Sequence, residues 1–179
     1  STGVIRQPAL SPDGKTLVFV IDEPNKYMGG YRSKSGLYVV SSSGGTPRLI
    51  GARAIAPMYS ADGKRIYFSR EEGGNTTLSS VNLDGYEPRD HALATGADRY
   101  ELRLSPDGRW LTFKEHQQYY LMPYVETGNV FDVSASSKSV PVAQLTETSG
   151  NSLAWSADSR LIYWNLGSDL YTAKANQSF

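Results

Sequence analysis

S-P-D-G at residues 11–14, S-A-D-G at 60–63, S-P-D-G at 105–108 and S-A-D-S at 156–159 are one turn signal read four times. The copies lie 49, 45 and 51 residues apart. Each is followed within a few residues by an apolar, aromatic-rich run: L-V-F-V, I-Y-F-S, W-L-T-F and L-I-Y-W. In the first copy Pro12 presets φ at the second turn position. Asp13 offers acceptors to nearby backbone N–H groups, and Gly14 takes a positive φ without a Cβ clash. A tight turn leading into a half-buried strand, repeated at this period, specifies the blade of a β-propeller.

Reading outward from the turns gives an all-β chain with four repeats, each built on antiparallel strands. The repeats fall at about 5–50, 54–95, 99–146 and 150–179. In the first, G-L-Y-V-V at 36–40 and R-L-I at 48–50 supply the third and fourth strands. The second continues through T-T-L-S-S-V at 76–81 and a D-G turn at 84–85 to a strand near Arg89–Leu93. The third has a long tail, with V-F-D-V at 130–133 and V-P-V-A-Q-L-T at 140–146. The fourth ends about where its last strand would begin. No window carries a sustained 3.6-residue apolar period, so helix is expected to be nearly absent. One blade cannot bury both of its faces, so stacking on neighbours must supply the core. Four repeats allow a small closed four-bladed ring or an arc cut from a larger propeller; the leading expectation is the arc, with remaining blades as partners and self-association through uncovered end blades.

Composition narrows the function classes. Of 179 residues, 18 are Lys or Arg and 18 are Asp or Glu, so no basic excess points to nucleic acid. No apolar run is long enough for a membrane-spanning helix. Cysteine is absent, which removes disulfides and thiolate chemistry and fits cytoplasm and periplasm equally.

Asp13, Asp62, Asp107 and Asp158 recur once per repeat. That recurrence reads as turn capping, together with Gly14, Gly63 and Gly108, rather than as a shared metal or catalytic set. Ser159 stands where the fourth turn would carry glycine, so that turn is expected to be less relaxed if its φ is positive. His91 and His116 are the only histidines, and no H-x-H, H-E-x-x-H or cysteine pair accompanies them. No G-x-S-x-G elbow and no G-K-S/T loop is present. No residue is therefore assigned to catalysis, cofactor binding or metal binding. The insertion D-E-P-N-K-Y-M-G-G-Y-R-S-K at 22–34 carries Tyr27, Tyr31 and Arg32. These three and His116, which follows Glu115 in a loop, are the candidate binding rim. A plain irregular loop is an equal reading of the insertion. Trp110, Trp155 and Trp164 are expected between blades.

The repeated W/Y-S-x-D-G-x-x-I/L-x-F units resemble TolB-like propeller repeats, which also occur in tricorn-type and prolyl-oligopeptidase-type peptidases. The series R-W-L-T-F-K-E-H-Q-Q-Y-Y-L-M-P-Y-V-E-T-G from 109, K-S-V-P-V-A-Q-L-T from 138 and G-N-S-L-A-W-S-A-D-S-R-L-I-Y-W-N-L-G-S-D-L-Y from 150 is similar to the propeller region of bacterial amidohydrolase-related proteins. These are often described as periplasmic components of the Tol biopolymer transport system. The resemblance implies a bacterial periplasmic or envelope protein in which a propeller precedes a C-terminal amidohydrolase barrel with a divalent metal such as zinc. None of that histidine-rich metal site falls on this sequence. The leading expectation is a noncatalytic propeller segment that shapes substrate access or holds protein partners. The alternatives are a TolB-like envelope protein-binding module and the gating propeller of a serine peptidase.

Overall fold

The computed structural model describes residues 4–22, 35–52, 54–96 and 98–179. The first sheet contains β1 (Val4–Leu10), β2 (Thr16–Asp22), β3 (Gly36–Ser41) and β4 (Arg48–Gly51), in chain order. The second contains β5 (Ile55–Tyr59), β6 (Arg65–Glu72), β7 (Asn75–Asn82) and β8 (Arg89–Ala94). The third is built from β9 (Arg99–Leu104), β10 (Trp110–Glu115), β11 (Gln118–Pro123) and β13 (Ala143–Gln144), and the fourth from β14 (Asn151–Trp155), β15 (Leu161–Leu166) and β16 (Asp169–Lys174). The remaining strand, β12 (Phe131–Asp132), lies on the outer edge of β8. A 3-10 turn at Ala175–Gln177 follows β16.

The placement of β12 differs from the sequence expectation. V-F-D-V at 130–133 reads as part of the third repeat, yet Phe131 and Asp132 pair in parallel with Ala92 and Leu93 of β8. The Val133 N–H extends the pairing by donating to Leu93 O at 2.8 Å. The edge of β8 presents backbone groups that need partners. Val133 is also buried by the move, with 1% of its surface exposed. Only Ala143–Gln144 remains to close the third sheet, opposite Tyr120 and Leu121.

The chain divides into two compact units, Ser1–Arg70 with Ser79–Arg89, and Glu71–Leu78 with Asp90–Phe179. In the first, Val18 and Val20 of β2, Leu37 of β3 and Ile50 of β4 meet Tyr59 of β5 and Ile66 of β6 in one buried cluster. Residues alternate across a strand, so Val18 and Val20 share one face while Phe19 points to the other. In the second, Tyr119 and Leu121 of β11 pack against Leu153, Ile162 and Trp164 of the fourth sheet. Each cluster joins one sheet to the next in sequence, which is how a blade covers a face that it cannot bury alone.

A second regularity lies within the sheets. Phe19 and Tyr38, Phe113 and Tyr120, and Trp164 and Tyr171 are directly opposite across the second and third strands of their repeats. Their rings stack at centroid distances of 6.0, 5.3 and 6.0 Å. Cross-strand aromatic pairs of this kind hold register as well as area.

The D-G turn after β7 is the tightest glycine position in the first unit. Gly85 has φ +87, and a Cβ there would stand 2.1 Å from the Ile50 carbonyl oxygen. Gly14 has φ +72 with nothing within 4 Å of a built Cβ. Gly85→Ala combines backbone strain with overpacking and should cost roughly 2–5 kcal/mol. Gly14→Ala carries only the left-handed cost, about 1–2 kcal/mol. Urea unfolding of both variants checks the difference, and equal midpoints would contradict this account of Gly85.

Candidate functional site

The four turns have a common construction. Ser11 Oγ donates to Asp13 Oδ1 at 2.7 Å, and the Lys15 N–H donates to the same oxygen at 3.1 Å. Ser11 Oγ in turn accepts from the Thr16 N–H at 2.9 Å. The same three bonds recur around Ser60 and Asp62, Ser105 and Asp107, and Ser156 and Asp158. The serine hydroxyl, then the backbone N–H, hold the Asp13, Asp62 and Asp158 carboxyls below the usual range. For Asp107 burial opposes the shift, but bonds from Ser105 and Arg109 outweigh it and its pKa is also lowered. Every carboxylate is therefore spent on its own turn. Gly14, Gly63 and Gly108 have φ of 72, 69 and 71°. Ser159 takes the same conformation, φ 61°, and its Oγ accepts from the Asp107 N–H at 2.9 Å. A hydrogen bond to the neighbouring turn thus offsets the left-handed strain.

A feature with no sequence signal recurs in the first strand of every repeat. Gln7, Ala56, Glu101 and Ser152 have φ of 50, 52, 57 and 54°. They lie four residues before the turn serine each time, and the pairing register shifts across each of them. These are β-bulges with a left-handed residue other than glycine, each costing on the order of 1–3 kcal/mol. Side chains at two of them link to the following repeat, one directly and one through a tyrosine. Gln7 Oε1 accepts from the Ala56 N–H at 2.7 Å, linking bulge to bulge in the first unit. In the second, Tyr119 Oη donates to Glu101 Oε2 at 2.8 Å and accepts from the Leu153 N–H, beside the Ser152 bulge, at 3.4 Å.

The second link belongs to a polar seam between the third and fourth sheets. Lys114, 3% exposed, donates from Nζ to Gly150 O at 2.7 Å. Its ammonium lies 5.5 Å from the Tyr100 ring centroid and 5.1 Å from that of Tyr119, within cation–π range. Gly150 is squeezed between rings, since a Cβ there would meet Tyr119 Cδ2 at 2.8 Å and Trp164 Cδ1 at 3.0 Å. Burial, then the Glu101 charge, pushes the Tyr119 phenol far above its ordinary value, so it stays a neutral donor. Burial lowers the Arg103 pKa against the pull of Glu101 and Tyr119. Arg103 Nε and Trp155 Nε1 are buried and lack hydrogen-bond partners among the described residues.

The other sequence candidates are scattered. His116 and Gln117, φ 47 and 69°, form the two-residue turn between β10 and β11, a geometry suited to a type I′ hairpin. The His116 side chain is 70% exposed, with Nδ1 3.5 Å from Asp98 Oδ2. His91 is buried on β8, its Nδ1 3.8 Å from Glu126 Oε1. Tyr27, Tyr31 and Arg32 lie outside the described residues. Trp164 is buried in the cluster between the third and fourth sheets, with Trp110 and Trp155 packed against it. Among the described residues no three His, Asp or Glu side chains converge as a metal site.

No protein-family model matches the chain. A 77-residue segment is 35% identical to dipeptidyl-peptidase 5 of Porphyromonas gingivalis, covering 41% of this chain and 11% of that protein. TolB from Acinetobacter baumannii matches over 99% of this chain and 42% of its own, with a TM-score of 0.66 and 23% identity. The putative TolB of Agrobacterium tumefaciens matches over 98% of this chain and 58% of its own, with a TM-score of 0.59 and 21% identity. The chain thus spans less than two thirds of each of these proteins. At such identities the likeness establishes the fold, a TolB-like β-propeller of four antiparallel blades.

Two outcomes test the seam and the turns. Tyr119→Phe leaves the Glu101 carboxylate and the Leu153 N–H short of a partner, and should destabilise the chain by about 1–3 kcal/mol in denaturant unfolding. Asp62→Asn should be less stable than the parent at neutral pH. Because the folded pKa is lowered, the Asp62 contribution is complete above the ordinary value of 3.8 and is lost as pH falls through the folded one. The gap between variant and parent should therefore close as pH approaches about 2. A gap that persists in acid would count against the turn carboxylate as its source.

Proposed function

We propose that this chain is a noncatalytic propeller segment that binds polypeptide, a TolB-like module of a bacterial envelope protein. The observation that carries the reading is the match to two TolB chains along nearly the whole of this one. The chemistry of the seam supports it. Glu101, Tyr119 and Lys114 bind one another and the backbone of the next blade, which is a structural use of groups that catalysis would otherwise need free. Exposed apolar residues, Val4 and Ile5 on β1 and Leu170 on β16, are surfaces that further blades or a second copy would cover.

One observation favours a second reading. The segment shared with dipeptidyl-peptidase 5 is the most similar sequence stretch described above, and it suits a propeller that gates a separate peptidase domain. The amidohydrolase-linked reading, with zinc or another divalent metal in a following barrel, rests on the resemblance of residues 109–173 alone. None of the three proteins named above is described as an amidohydrolase.

The sequence of the intact gene separates these. Further blades behind an export signal, with no catalytic domain, are the expected result. A downstream G-x-S-x-G domain would replace binding with peptidase gating. A downstream barrel with clustered histidines would make the segment part of an amidohydrolase. The chain alone should leave dipeptidyl and cyclic-amide substrates unchanged, with or without added zinc. Turnover that survives repurification would overturn the noncatalytic assignment.

A further inference from the structure

Arg109, Trp110, Asp158, Ser159, Arg160 and Asn176 line a cavity of about 420 Å³ in the second unit. It lies where the third turn meets the fourth, the two tied by the bond from the Asp107 N–H to Ser159 Oγ. The chain after β16 supplies another wall, and Phe179 stacks on the Trp110 ring at a centroid distance of 5.6 Å and an interplanar angle of 16°. The volume falls in the range of pockets that hold a small molecule or a short peptide.

The charges are arranged asymmetrically. Asp107 Oδ2 accepts from Arg109 Nε at 2.7 Å, and Asp158 Oδ2 is 3.8 Å from Arg160 Nε. Each arginine is thus held on its Nε side by the acid of its own turn. Among the described residues, neither has an acceptor on its terminal amino groups. A guanidinium anchored in this way keeps a planar edge for a carboxylate. Asp107 and Asp158 balance the two arginines in charge, so what the cavity offers an anion is the two outward guanidinium edges beside an aromatic wall. The equivalent positions of the first two turns are Lys15 with Thr16 and Lys64 with Arg65. Those offer neither the Arg–Arg pair nor the tryptophan.

We propose that this cavity binds an acidic peptide segment, with a carboxylate between Arg109 and Arg160 and a neighbouring apolar side chain against Trp110. The proposal rests on the polypeptide-binding reading and gives it a place and a ligand chemistry. A basic peptide meets the two guanidinium groups with like charge, and a neutral one brings no anion to their terminal amino groups.

The test is an NMR titration of the full chain with the tripeptide acetyl-Phe-Glu-Glu, its amidated form, and acetyl-Phe-Gln-Gln-amide. The Trp110 indole N–H is identified by its absence in Trp110→Phe. The acidic peptides should shift this resonance, and the neutral one should not. A response confined to the free C-terminus would assign the carboxylate to the chain end, and a response to both acidic forms to a side chain. R109Q/R160Q should weaken binding roughly tenfold or more, R160K less, and the K15Q/K64Q control not at all. Unchanged affinity in R109Q/R160Q, or an equal response to the neutral peptide, overturns the cavity assignment while leaving peptide binding elsewhere intact. If these three peptides and the basic acetyl-Phe-Lys-Lys-amide all leave every resonance unmoved, both the cavity and the polypeptide-binding reading fail.

Discussion

The hydrogen bond from a turn serine to the aspartate two residues on sets the register of every blade. It fixes the link between the first and second strands, at 2.7, 2.7, 2.5 and 2.6 Å in the four repeats. Because side chains alternate along a strand, a slip of one residue would exchange its two faces, each packed against a different neighbour. Phe19, Ile66, Leu111 and Phe113, and Ile162 and Trp164 lie six or eight residues after their clamp serines, so the clamp places all of them on the same strand face, where they are buried. The lowered pKa of all four aspartates is the electrostatic face of that clamp.

The bulges carry the opposite kind of term. Four left-handed residues cost backbone energy, and only a surrounding structure that compensates can retain them. Gln7 shows one compensation, a side-chain acceptor for the Ala56 N–H of the next repeat. Glu101 shows another, in which Tyr119 carries the link to Leu153. The strained residue of one blade thereby organises the strained segment of the next. This makes the polar seam a packing device as much as a chemical one. Lys114 is stabilised there by a carbonyl and two ring faces, which take the place of the water that its buried side chain has lost.

These contacts divide the polar residues by use. Glu101, Tyr119 and Lys114 are committed to holding blades together. Arg109 and Arg160 are tied only at Nε and keep exposed guanidinium edges at the turn end. In a propeller the strands pack while strand ends and loops face outward, which is why the exposed groups lie at the turns and the committed ones in the seam.

The turns were legible in the sequence because their determinants are local. Serine, aspartate and a residue tolerant of positive φ lie within four positions, and the bonds that they make span at most five. Strand order within each repeat followed from the same spacing. The bulges were not legible: Gln, Ala, Glu and Ser share no chemistry, and their conformation comes from register against the second strand and contacts with the next blade. Nor was the move of Phe131–Asp132 to the edge of β8, since a two-residue parallel pairing carries no pattern and is decided by which backbone edge is free nearby. The cavity beside Trp110 likewise needed the fold, because it joins residues 109–110, 158–160 and 175–176. The sequence by itself determined the repeat, its turns and its alternating faces, all set by short-range hydrogen bonding and side-chain period. The tertiary structure alone decided which groups are consumed between blades and which remain open, because that depends on contacts between residues 18 to 52 positions apart.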